Sequence, residues 1–367
     1  MATIASVTKI ATARVRPLDV RDLPAIVEMR RRLFGSSPAL TPEAHADLFR
    51  EVLIENPWRD DDICSLVYEQ GSRIVGFIGA TTRRLTLEGR VYRAAVCQHL
   101  MVEPDSRSSL AAVELFRAFL SGPQDLSMTD TAGDVSRRLL ERLGASTALP
   151  HSISWLRRLQ PATCALSELR ERRGLRAVAA GVAPLGHLVD AVLAKRAANR
   201  FRHVGSTVED VDGERILAAC EALCDRRLLR LDYDATWLGW VLGVWAKQER
   251  FGRLETVMVR GGQGEPVGWF VYFVNRQGIS EVLQIGATEK TIEGVLAHLV
   301  SHARARGALT LRGRVDPRLM RAFARREFDI MPGVRWTLVH SSRPELLQAI
   351  HYGHCFLSPL DGDLWFL

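Results

Sequence analysis

The residues best placed to do chemistry in this chain gather around one stop in a strand. Val102-Glu103-Pro104 ends a β-rich run, because proline cannot donate to a strand ladder, and Asp105-Ser106 supply side-chain oxygens suited to a helix start. Leu110, Val113, Leu115, Phe116 and Phe119 then follow near helical spacing. A helix start presents unbonded amides and the positive end of its dipole, so the turn from Pro104 into this helix is suited to an anion. Just upstream stands His99, the residue of that strand able to take up a proton near neutral pH.

Other reactive side chains are less organised. The six cysteines, at 64, 97, 164, 220, 224 and 355, include no Cys-x-x-Cys pair, and Cys220 and Cys224 have no nearby His on their predicted helix. That pattern points to thiols buried in a reducing, cytoplasmic setting. His351 and His354 could form a pair on a loop, but no Cys or Asp stands at ligand spacing, so no metal is expected. The net charge of +7 is spread along the chain, which reads as an Arg-rich surface. It allows cofactor phosphates, nucleic acid or an acidic membrane as partners, although DNA is not expected. The N-terminus lacks a long apolar core and a cleavage pattern, so no signal peptide is expected, and residues 1–12 read as a loose leader.

These residues must be positioned by ordinary globular elements. The chain has 367 residues, beyond the ~250–300 at which one core stops growing, so two domains are expected. Ile74 to Ile78 and Val91 to Val102, joined at Glu88-Gly89, read as an antiparallel hairpin. Before it come a strand at Val15–Leu18, a helix carrying Leu23, Ile26, Val27, Met29 and Leu33, a helix from Pro42 capped by Thr41, and a strand from Ile63 to Glu69. After it come a strand from Leu126 to Thr131, a helix from Asp134 to Leu143 ended by Gly144, and a closing strand from Ser152 to Arg158. Residues 161–205 read as a helical connector. Its 185–202 helix is too interrupted to span a bilayer, and packs between domains or makes a peripheral contact with anionic lipid. Helices from Gly213 to Leu229 and from Ala235 to Lys247 follow. Trp237, Trp240 and Trp245 on the second are core residues, Trp237 and Trp240 alternatively lining a cleft. The strands beyond are joined by Gly261-Gly262-Gln263-Gly264, which no helix follows, so that turn is no phosphate loop.

Strand, Val102-x-Pro104-x-x-Arg107, helix, preceded by the Val75-Gly76-Phe77 strand, resembles the GCN5-related N-acetyltransferases. The resemblance implies an α/β (α+β) fold in which each domain is a mixed, mostly antiparallel twisted sheet flanked by helices. It implies acetyl-CoA or another acyl-CoA as co-substrate and a small-molecule or polymer amine as acceptor. Leu100, Met101 and Val102 would lie along the pantetheine arm, a backbone amide of that strand polarising the thioester. Arg107, Ser108, Ser109, Leu110, Ala111 and Ala112 would form the pyrophosphate loop. Arg107 and Ala112 fit the family pattern, whereas Leu110 stands where the family has Gly. Leu140 occupies the position of the family's proton-donating Tyr and cannot donate. Gln98 and His99 stand where the family's base is found, and only His99 can serve.

The second half repeats the first. Val75-Gly76-Phe77 recurs as Val267-Gly268-Trp269, and the strand with Trp155 as the strand with Trp336. The period far exceeds the ~20–50 residues of solenoids, so it implies two copies of one domain. The expected division is 1–12 leader, 13–160 N-terminal domain, 161–205 connector, and 206–367 a degenerate second copy with a tail packing through Trp365 and Phe366. That copy keeps Gly294 but carries Glu289 and Glu293, which repel phosphate. In that copy Glu281 is placed comparably to the first copy's base and Tyr272 lies on the preceding strand, each reading more readily as a surface or core residue than as a catalyst. The expected activity is acyl-CoA-dependent N-acyl transfer in the N-terminal domain. The alternatives are a degenerate tandem pair that binds without catalysis, and a tandem transferase drawing on aminoacyl-tRNA.

Overall fold

The computed structural model describes residues 13–35, 40–106, 110–171, 185–186, 188–190, 192, 206–326, 328–333 and 335–364. The leader, Arg107, Ser108 and Ser109, most of the connector, and Trp365 and Phe366 lie outside the described residues.

Sixteen described strands run β1 (Ala13–Pro17), β2 (Leu66–Gln70), β3 (Arg73–Leu87), β4 (Arg90–Val102), β5 (Leu126–Ala132), β6 (Ser146–Thr147), β7 (Ile153–Arg158) and β8 (Thr207–Asp210), then β9 (Leu229–Leu231), β10 (Arg253–Arg260), β11 (Pro266–Val274), β12 (Ile279–Ala287), β13 (Thr310–Arg314), β14 (Asp329–Pro332), β15 (Trp336–His340) and β16 (Cys355–Phe356). They form two mixed sheets, in the orders β1-β2-β3-β4-β5-β15-β6, with β9 and β16 beside β3, and β14-β7-β13-β12-β11-β10-β8. The expected hairpin is β3 and β4, and its turn is made by Glu88 and Gly89, both at positive φ.

Helices α1 (Leu23–Phe34) and α2 (Pro42–Leu53) cover one face of the first sheet, and α3 (Ala111–Leu120) and α4 (Asp134–Arg142) the other. Thr41 caps α2 by accepting from the Ala44 amide at 3.2 Å. Gly144, at φ 97°, follows the end of α4.

The halves exchange a strand. The segment expected to close the first sheet, β7, instead pairs antiparallel with β13 and β14 in the second. Its counterpart β15 pairs antiparallel with β5 and β6 in the first. The physical reason is a fitted contact: a Cβ at Gly313 on β13 would sit 2.7 Å from the Trp155 ring, so Gly313 leaves the room that Trp155 fills. Trp155 is buried against Phe323 and Phe328.

Trp237 is also core, stacked 4.7 Å from Trp58 and 5.5 Å from Tyr233, which removes it as a cleft residue. The predicted helix from Gly213 stops at Leu223, and Leu229–Leu231 is a strand paired with β3 and β16.

The chain end ties the sheets together. The Leu360 amide donates to the Leu283 carbonyl of the second sheet. Three residues on, the Asp363 amide donates to Asp130 at 2.7 Å and the Leu364 amide to the Gln98 amide oxygen at 2.7 Å, both in the first. Buried Arg83 donates to the carbonyls of Asp361 and Gly362 at 2.9 and 3.0 Å.

Candidate functional site

The site is built where β4 leaves β5. Ala94, Ala95 and Val96 pair in parallel with Leu126, Ser127 and Met128, and the register ends there. Beyond Val96, β4 is paired with β3 alone, so the edge running through Leu100, Met101 and Val102 has no strand partner on its β5 side.

A bulge sits on that edge. Ile78 pairs with Leu100 and Gly79 with Gln98, so His99 is the extra residue. Before it, Ala94 and Val96 face the α1 and α2 side; after it, Met101 does, while Leu100 and Val102 turn to α3. The parity change sends Gln98 and His99 to the same face. Gly79 permits this, since a Cβ there would meet the Gln98 Cβ at 2.7 Å.

Gln98 is fully buried and fixed, its Nε2 donating to Thr81 at 2.8 Å and its Oε1 accepting from Leu364. His99 is half-buried, edge-on to Phe34 with ring centroids 6.2 Å apart. Burial, then the charges of Arg30 and Arg250, hold its pKa down at about 4. It is therefore uncharged at neutral pH and able to accept a proton. An ion pair between Arg32 of α1 and Glu103 ties α1 to the end of β4.

Leu110 is the N-cap of α3 and offers no capping side chain. Its own side chain is 61% exposed and turned to solvent. Arg107, Ser108 and Ser109 lie outside the described residues; Ala111 and Ala112 form the first turn of α3. Leu140 is buried in the apolar cluster under α3 and α4, where no proton can be donated.

The corresponding splay in the second half holds about 370 Å³ of empty space beside its own tail. Pairing of β12 with β13 ends at Val282 and Gly313. The cleft beyond is lined by Leu283, Gln284, Arg314, Phe356, Ser358 and Pro359, and Leu360 bonds the Leu283 carbonyl. The second half's own tail thus lies along its splayed strands. Its comparably placed polar groups are engaged as well. Glu281 is ion-paired with Arg312, and the hydroxyl of Tyr272 bonds His302 Nδ1 at 2.8 Å.

Acidic groups gather where the tail reaches the first sheet. Burial raises Asp361 to about 6, and burial together with the Asp130 charge pushes Asp363 up to about 8. Asp363 Oδ1 has no hydrogen-bond partner, while its other oxygen accepts from Thr129 at 3.3 Å and from Thr131. Sequence reasoning missed this cluster, whose members are distant in the chain.

Among the described residues, Asp210, Glu255 and His302 bring three donor atoms together. Both Glu255 oxygens already face guanidiniums, from Arg253 and from Arg306 at 3.1 Å, and the Tyr272 hydroxyl sits on His302. His351, expected beside His354, instead bonds Ser146 Oγ at 2.8 Å from the end of its helix.

No protein-family model and no curated protein matches the sequence. Solved structures do match the fold. A GCN5-related N-acetyltransferase from Kribbella flavida aligns over 91% of this chain and 72% of its own, with 16% identity and a TM-score of 0.56. One from Anabaena variabilis covers 91% and 74%, with 11% identity and a TM-score of 0.57. The N-myristoyltransferase of Saccharomyces cerevisiae, solved with bound myristoyl-CoA, covers 92% and 80%, with 11% identity and a TM-score of 0.52. This chain has the fold of the GCN5-related N-acetyltransferases, built from two mixed sheets, a fold it also shares with that N-myristoyltransferase.

Proposed function

We propose that the protein is an acyl-CoA-dependent N-acyltransferase whose N-terminal half holds the cofactor. The observation that carries this reading is an asymmetry. Past Val96 the β4 edge through Leu100, Met101 and Val102 has no paired strand other than β3, while at the matching edge of β12 the Leu283 carbonyl already accepts from Leu360. An acyl-pantetheine laid along β4 would take its hydrogen bonds from Leu100, Met101 and Val102, and its phosphates would meet the start of α3 from Arg107 to Ala112. A backbone amide at the His99 bulge would polarise the thioester carbonyl, and such a donor survives any side-chain change. His99, uncharged at neutral pH, would take the proton released by the attacking amine. With Leu140 in place of a proton donor, the thiolate would leave unprotonated or collect its proton from solvent.

Calorimetric titration with acetyl-CoA and with longer acyl-CoAs tests this. Saturable heat with at least one of them is expected, and none with any would remove the reading. The second reading is binding without turnover, which buried Leu140 favours. It fails if any amine is acylated at a rate that His99→Ala abolishes.

Peripheral contact with an anionic membrane through 185–202 is a separate proposal. Leu185, Leu188, Val189 and Val192 support it, because their exposed side chains share one helical face. No described helix is long and apolar enough to cross a membrane. Flotation with phosphatidylserine vesicles decides it, and full recovery in the lipid-free fraction would end it.

A further inference from the structure

The transfer proposed above leaves a thiolate without a proton donor, since Leu140 is apolar and buried. The chain end brings a carboxyl to the place where one is needed. β4 and β5 stop pairing after Val96 and Met128. Gln98 and Asp130 each stand two residues past that last pair, and the tail bonds to both. On the β5 side the Asp363 amide donates to Asp130 Oδ1 at 2.7 Å, and its Oδ2 accepts from the hydroxyls of Thr129, at 3.3 Å, and Thr131. On the β4 side the next residue, Leu364, donates its amide to Gln98 Oε1 at 2.7 Å. Gln98 directly precedes the His99 bulge, against which the reading above sets the thioester. The Asp363 carboxyl is therefore fixed where the two strands part.

Its two oxygens are not equivalent. Oδ2 accepts two hydroxyl bonds, as the carbonyl oxygen of a neutral acid does. Oδ1 has no hydrogen-bond partner, and the residue is only 4% exposed. A carboxyl so arranged carries its proton on Oδ1. The neighbouring carboxyl explains why the proton stays on this residue. Asp130 has the Arg314 guanidinium at 3.8 Å, whereas Asp363 has no ion-pair partner among the described residues. Two buried carboxyls side by side do not both ionise, and the one beside the cation keeps its charge. Burial and the Asp130 charge accordingly push Asp363 up to about 8 against the opposing pull of Arg314 and Arg335. Its charge would also act on Arg83 and Cys97, the remaining titratable groups around it.

Resting on the N-acyltransferase reading above, we propose that Asp363 is the general acid of the transfer, giving its Oδ1 proton to the sulfur of the departing coenzyme A. The amine nitrogen bonds to the thioester carbonyl carbon, the C–S bond breaks, and its electron pair goes to sulfur, which takes the proton. Asp363 is left as a carboxylate, steadied by the hydroxyls of Thr129 and Thr131. His99 takes the proton that the amine sheds, and water returns one to Asp363 before the next turnover. The C-terminal half of the chain thus supplies a reacting group to the N-terminal site.

The test compares two leaving groups in the full-length protein, with hydroxylamine as the amine. Asp363→Asn keeps the shape and removes the acid. It should lower kcat about 100-fold with acetyl-CoA. With S-(4-nitrophenyl) thioacetate, whose thiolate is stable without a proton, the variant should match the parent. Equal slowing with both thioesters would mark Asp363 as merely structural and overturn the proposal, as would an unchanged rate with acetyl-CoA. The parent's pH profile carries the test if the variant does not fold. Hydroxylamine is already neutral across the range used, so kcat with acetyl-CoA should fall as pH rises through about 8, where Asp363 loses its proton. A flat profile there overturns the proposal. Calorimetry separates the two levels. Acetyl-CoA that binds without being turned over removes the general acid and leaves a cofactor site, whereas neither heat nor turnover with any acyl-CoA removes the transferase reading itself.

Discussion

Replacing Arg83 by Met should loosen the chain end from the first sheet, and the size of the effect can be worked from its contacts. Arg83 is fully buried on β3 and donates to the carbonyls of Asp361, Gly362 and Thr82. Burial lowers its pKa to about 10 against the opposing pull of Asp361 and Asp130, so it stays charged in any ordinary buffer. Met fills a similar apolar volume but leaves two tail carbonyls without donors, at ~1–3 kcal/mol each. It also removes the cation that Asp361, Asp130 and Asp363 share, and stripping one partner from a buried charged cluster costs ~3–5 kcal/mol. These two effects overlap, so the expected loss is ~3–5 kcal/mol in urea unfolding, together with faster carboxypeptidase trimming of the tail. Arg84 is the control. It is half exposed, its nearest carboxylate is Asp234 at 3.5 Å, and Arg84→Met should cost less than ~1 kcal/mol. An Arg83→Met protein within ~1 kcal/mol of the parent, with its tail still protected, would refute the view that the tail is clamped through Arg83.

Three other outcomes follow from the same geometry. His99→Ala should lower kcat about 100-fold with the KM for acyl-CoA nearly unchanged, since the ring sits against Phe34 of α1 and off the strand edge proposed for the cofactor; steady-state kinetics checks it, and an unchanged kcat would remove His99 as the base. Leu110→Glu should weaken acyl-CoA binding, because a carboxylate then stands at the helix start proposed to meet the phosphates, while Leu110→Ala should leave affinity within about twofold because the side chain already points to solvent. Stability should peak near pH 6.5. His45, His99 and His151 are held down at about 4, so the unfolded chain binds more protons below its ordinary imidazole range, and their contribution falls as pH drops from about 6.5 toward 4. Asp361 and Asp363, raised to about 6 and about 8, keep protons that the unfolded chain has lost, so their contribution falls as pH rises. Below 6.5 the three imidazoles outweigh the two carboxyls; above it Asp363 alone keeps the slope negative until about 8. Melting temperatures that climb steadily from pH 6.5 to 8 would contradict this.

Local chemistry was readable from the sequence wherever neighbouring residues decide it. The Glu88-Gly89 turn, the Thr41 cap and the proline stop at 104 depend on a few adjacent residues, and each stands where expected. The strand exchange was not readable. Ile153–Arg158 and Trp336–His340 have the same pattern because they are equivalent strands of a repeat. What sends each to the other sheet is a distant fit, such as Trp155 into the space over Gly313. Leu229–Leu231 was too short for its period to separate a strand from the end of a helix. At the site, His99 was visible as a proton acceptor, but its place as a bulge residue needs the register with β3. The tail was expected to pack into the interface through Trp365 and Phe366, which lie outside the described residues. Asp361, Asp363 and Leu364 make the contacts that are described, and their partners on β3, β4 and β5 lie more than half the chain away.

Amide hydrogen exchange with and without a saturating acyl-CoA tests the central claim most directly, because it reads both splayed strand edges in one experiment. Cofactor along the first half should slow exchange at Leu100, Met101 and Val102 and at the first turn of α3, and leave Leu283 to Ile285 unchanged. Slowed exchange at Leu283 to Ile285, with β4 unaffected, would contradict it.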